Sequence, residues 1–93
     1  MNIIEQNILN NSQNLNFYFQ INEIIENIKN INQEDKDEFK IIWEVASDKT
    51  NWEFVDDVLG CKITSKRLKD NFNLSDNYTS ILVRVALNEL RNK

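Results

Sequence analysis

The side chains of this 93-residue chain that could do chemistry are few, and their types exclude more than they permit. There is no histidine, so no imidazole proton shuttle, no His-activated nucleophile and no His-ligated metal is available. Cys61 is the one cysteine; it can close no disulfide within the chain and is too few for a zinc knuckle. It reads as a small, half-buried residue after a helix end. Asp48-Lys49-Thr50-Asn51-Trp52-Glu53 opens like a calcium loop, but it has no glycine at the sixth position and no oxygen ligand at the fifth. Asp56 and Asp57 are sequence neighbours, so on a helix their carboxylates diverge, which suits a solvated face better than an acid and base working together. No Gly-rich loop is present to cradle a phosphate. The expectation is a protein that is not an enzyme, with no cofactor and no metal.

Charge is more informative. The total is −4, but it is unevenly spread. Residues 1–60 carry a balance of −8 and residues 61–93 a balance of +4, which predicts two electrostatically distinct faces. The acids crowd residues 23–57. Glu34, Asp35, Asp37, Glu38, Asp56 and Asp57 are the candidates for a protein-binding surface that meets a basic partner. The cations Lys62, Lys66, Arg67 and Lys69 form the opposite candidate, a patch able to hold phosphates.

Those residues need elements to position them. With no proline and one glycine in a chain that is 41% hydrophobic, the composition favours helices joined by polar turns. We read an all-α single domain spanning 1–93, a compact bundle of five to six short helices packed on a buried C-terminal helix over about 75–91. In that last helix Tyr78, Ile81, Leu82, Val85 and Ala86 follow helical spacing, and Val83, Leu87 and Leu90 widen the apolar face beyond one stripe. The surplus would suit a homodimer. Ile3, Ile4 and Ile8 mark a first helix. Residues 15–21 alternate like a strand, yet Phe17, Ile21, Ile24, Ile25, Ile28 and Ile31 keep helical spacing. A lone strand would have nothing to pair with, so a helix over 16–31 is preferred. Asn32 caps a helix over 33–47, whose first turn is acidic and whose inward face is Phe39, Ile42, Trp43 and Ala46. Thr50 and Glu53 form a capping box for a helix ending at Gly60, with Trp52, Val55, Val58 and Leu59 turned inward. Thr64 caps a further helix to about Phe72. Residues 1–5 lack a basic leader and no stretch reaches 18 apolar residues, so we expect a cytoplasmic protein with no membrane partner.

Two resemblances bear on function. Residues 65–87, SKRLKDNFNLSDNYTSILVRVAL, look like a helix-turn-helix: a helix over Leu68, a tight turn at Asn73-Leu74-Ser75, then a candidate reading helix. Leu68, Leu74, Ser75 and Leu82 suit the motif, whereas Lys69 replaces a small residue and Thr79 a buried aliphatic. The resemblance implies that Asp76, Asn77, Thr79 and Ser80 meet bases while Lys62, Lys66, Arg67 and Lys69 hold the backbone. The net negative charge runs against it. Six short helices in about ninety residues, with the Asn51-Trp52 to Leu59-Gly60 spacing, also resemble a death-fold-like interaction module, which implies homotypic contact through charged faces. The leading expectation is a small stand-alone inhibitor or adaptor, of phage or bacterial anti-defence type, that binds one protein through its acidic surface. The helix-turn-helix regulator and the death-fold-like domain are the alternatives.

Overall fold

A computed structural model describes residues 3–11, 21–53 and 56–91. Every regular element among the described residues is helical: α1 (Ile3–Asn11), α2 (Ile21–Glu26), α3 (Gln33–Ala46), a 3-10 turn (Lys49–Trp52), α4 (Asp57–Phe72) and α5 (Asp76–Arg91). α5 lies against α1, α3 and α4 and buries Tyr78, Thr79, Leu82, Val83, Val85 and Ala86. Ile4 and Ile8 of α1, Ile21 of α2, Phe39, Ile42 and Ala46 of α3 and Leu68 of α4 complete the core. Of the three α5 side chains expected as surplus, Leu87 is half-buried. Val83 is buried in this core, and only Leu90 is an exposed apolar residue of that helix.

The helix ends follow local chemistry. The Asn32 side chain accepts the Asp35 N–H at 2.7 Å, and Glu34 and Asp35 lie in the first turn of α3, near the positive end of its dipole. α3 closes at Ser47, whose hydroxyl donates to the Trp43 carbonyl at 2.6 Å. At the start of α5 the Ser75 hydroxyl accepts the Tyr78 N–H at 3.3 Å. α4 ends on Asn73, in the left-handed conformation (φ 52°), with its N–H on the Lys69 carbonyl.

Two stretches depart from expectation. The helix predicted over 16–31 is α2 alone among the described residues. It stops at Glu26, and the left-handed Asn30 (φ 63°) turns the chain before Ile31. Residues 15–20, where strand and helix competed, lie outside the described part. The helix expected between Thr50 and Gly60 does not form. Instead the Asp48 carboxylate accepts both the Thr50 N–H at 2.9 Å and the Thr50 hydroxyl at 2.8 Å. This satisfies the donor that the Thr50–Glu53 box was to use and starts a 3-10 turn two residues earlier. Asp56 then caps a new helix, accepting the Val58 N–H at 2.8 Å. α4 runs on through Gly60, Cys61 and Thr64, all predicted at helix boundaries.

Gly60 therefore has a packing role, not a turn role. An added Cβ would stand 2.7 Å from Trp52 Cε3 and 3.1 Å from the Asn51 carbonyl oxygen. The absent side chain is what lets α4 approach the 3-10 turn. The new helix start also reverses the outlook of two residues expected inside: Val58 is 61% exposed and Leu59 43%. Val55 lies outside the described residues. Thr64 is buried, its hydroxyl donating to the Gly60 carbonyl at 2.8 Å.

Candidate functional site

α3 buries Phe39, Ile42 and Ala46, so its opposite side is fixed toward solvent. At about 100° per residue, positions 34, 37, 38 and 44 all fall within about 60° of the line through position 41. Glu34, Asp37, Glu38 and Glu44 are exposed on that side, and Ile41 sits among them with 55% of its surface bare. Gln33 Nε2 donates to Asp37 Oδ1 at 2.9 Å. Among the described residues, none of these four carboxylates has a cation within ion-pair distance. Glu34 and Glu38, one turn apart, repel each other weakly. The result is one acidic stripe with an aliphatic centre.

Three of the six predicted acids share this stripe: Glu34, Asp37 and Glu38. Asp35 is half-buried on the flank, about 120° from Ile41 by helical geometry. Asp56 is occupied as the cap of α4. Asp57 pairs with Arg91 at the end of α5. These last two were expected as a solvated face; the break at residue 56 gives each a structural partner. Sequence reasoning passed over Ile41, although its place seven residues after Glu34 and three after Glu38 sets it off the inward stripe.

Beside the stripe, Glu38 also lines a groove of about 510 Å³ with Glu5, Phe72, Leu74 and Tyr78. Burial pushes the Tyr78 phenol well above its usual range, and the Glu5 and Glu38 carboxylates add to the shift. A phenol held neutral in this way is a packing group, not an acid or base at neutral pH.

The predicted cationic patch is only partly assembled. Lys62, Lys66 and Lys69 lie along the outer side of α4. Lys66 pairs with Asp70 at 2.8 Å, and Lys69 pairs with Asp76. Arg67 does not join them: it turns toward the 3-10 turn, where its guanidinium donates to Asn51 and reaches Asp48 Oδ2 at 3.4 Å. Hydrogen bonds from the Thr50 N–H and hydroxyl, with a lesser contribution from Arg67, hold the Asp48 carboxyl below its ordinary range. At the start of α5, Asn77 and Ser80 are exposed, but Thr79 is buried and donates to the Ser75 carbonyl at 2.8 Å. Thr79 takes the inward position that the helix-turn-helix gives to an aliphatic, so it is not presented to a base. Trp52 and Leu59-Gly60, whose spacing resembled the middle helix of a death fold, lie on two separate elements.

Between α4 and α5, Cys61, Ser65, Lys69, Asp76, Ser80 and Arg84 line a second groove of about 360 Å³. Desolvation raises the Cys61 thiol pKa, which disfavours the reactive thiolate. Among the described residues no three His, Cys, Asp or Glu side chains are placed to hold a metal ion, and no helix is long and apolar enough to cross a membrane. Comparison of the chain with protein-family models, with curated proteins and with solved structures finds no match.

Proposed function

We propose that this chain is a non-catalytic protein-binding module, an inhibitor or adaptor, that docks on a basic surface through the outer side of α3. The observation that carries the reading is Ile41, 55% exposed in the middle of four carboxylates that no cation pairs with among the described residues. Interfaces gain most of their affinity from a few apolar anchors that become fully desolvated, while surrounding charges set partner choice and association rate. An isoleucine ringed by acids has that composition. The stripe's self-repulsion is a small cost that a cationic partner would relieve.

The duplex-binding reading has less support. Thr79 faces the core, and Arg67 turns away from the other cations to Asn51 and Asp48. The experiment compares the protein with an Ile41→Ser variant and with a Glu34→Lys, Asp37→Lys, Glu38→Lys variant as baits in cells of the source organism. A specific partner should be retained by the parent chain and lost from both variants, with circular dichroism unchanged because all four sites are exposed. A partner retained equally by all three baits would rule the α3 surface out.

A further inference from the structure

We propose that α3 of one molecule docks on the outer side of α4 of another, so that the chain associates head to tail with copies of itself. This rests on the reading of α3 as a docking surface and names a partner for it.

α4 carries the complement of the acidic stripe. By the same helical geometry, Val58, Leu59, Lys66 and Lys69 fall within about 60° of the line through Lys62. Val58 and Leu59 are 61% and 43% exposed at the first turn, and three lysines follow in the next turns. Lys62 has no acid within ion-pair distance among the described residues. Lys66 and Lys69 are paired only with the exposed carboxylates Asp70 and Asp76. Such exposed pairs are worth little and exchange readily for a better arrangement.

Of the large apolar side chains left bare, one is thus set among acids on α3 and two are set beside lysines on α4. The two stripes cannot meet within one molecule. α3 and α4 pack on each other and turn Phe39, Ile42 and Ala46 of one and Leu68 of the other into the common core, so both charged sides face away from that core. A second copy presents the missing surface, with opposite charge and bare apolar side chains of its own. Because the two surfaces differ, the contact is heterologous and can repeat. Its small extent makes it a weak association, built up at high concentration and sensitive to salt.

Two variants test this, made with neutral replacements so that no new charge pairing is created. The first is Glu34→Gln, Asp37→Asn, Glu38→Gln and Ile41→Ser on α3. The second is Val58→Ser, Leu59→Ser and Lys62→Gln on α4. All seven positions are exposed, and circular dichroism checks that both variants fold. Sedimentation velocity is run up to about 1 mM protein in about 0.1 M salt and again in about 1 M salt, where screening shortens the reach of charge about threefold. The parent chain should gain mass with concentration in low salt and lose that gain in high salt. Each variant alone should remain a single chain, and an equal mixture of the two should form a two-chain species and nothing larger, since each keeps one intact surface. A parent chain that stays a single chain throughout, or a mixture that forms no two-chain species, overturns the proposal. If a cellular partner is still lost from the α3 variant in that case, the functional reading survives and only self-docking fails.

Discussion

Replacing Gly60 with alanine tests the close approach of α4 to the 3-10 turn. In an unobstructed helix, glycine to alanine gains about 0.8–1 kcal/mol. Here the new methyl would stand 2.7 Å from Trp52 Cε3 and 3.1 Å from the Asn51 carbonyl oxygen. The indole is tethered, its Nε1 donating to the Ala46 carbonyl at 3.3 Å, so it cannot swing away without losing that bond. Overpacking of this kind costs about 1–3 kcal/mol. Taking the middle of that range, the clash outweighs the propensity gain, and Gly60→Ala should destabilise the protein by about 1 kcal/mol. In a chain of this size that lowers Tm by roughly 4–8 °C. The cycle is completed in a Trp52→Leu background. With the ring removed, only the 3.1 Å contact remains, and a shift of a few tenths of an ångström relieves it. The same Gly60→Ala change should then be neutral or stabilising, giving a coupling energy of about 1–2 kcal/mol. Urea unfolding of the four proteins supplies the numbers. A Gly60→Ala protein more stable than the parent, or an equal penalty in both backgrounds, would refute the packing argument.

Two further outcomes follow from buried polar groups. Asn51→Ala removes the amide that donates to the Val45 carbonyl at 2.7 Å and the oxygen that receives Arg67, so urea unfolding should show a loss of about 2 kcal/mol. The Tyr78 phenol has its pKa raised by burial and by Glu5 and Glu38; the folded state therefore keeps a proton that the unfolded chain sheds above pH about 10. Its contribution is intact below that pH and is lost as pH rises toward the folded pKa. Tyr78→Phe should flatten the alkaline limb of the stability curve, and an unchanged limb would contradict the assignment.

The readable parts of the sequence were those where local and global demands agree. α3 announces itself through Asn32, its acidic first turn and the Phe39–Ile42–Ala46 stripe, and α5 through a long apolar period; each was expected within a residue or two of its observed bounds. The Thr50–Gly60 stretch was misread because its signals are ambiguous taken singly. Thr50 is a good cap, but Asp48 reaches it first. Gly60 is a good helix terminator, but here its missing side chain makes room for Trp52. Arg67 looked like one of four surface cations because the spacing of charges does not reveal a partner sixteen residues away. Of the candidate site, the acidity was legible in composition. The stripe was not fully legible, because it depends on which side of α3 the core leaves outside and on the break at residue 56 that diverts Asp56 and Asp57 to other work.

The central claim is that the outer side of α3 makes the chain's principal contact, and amide NMR of the dilute labelled protein titrated with its captured partner tests it most directly. The account predicts shift changes concentrated between Glu34 and Glu44, with Ile41 among the largest. Changes concentrated instead at Asn77 and Ser80 and along Lys62 to Lys69, with α3 unmoved, would contradict it.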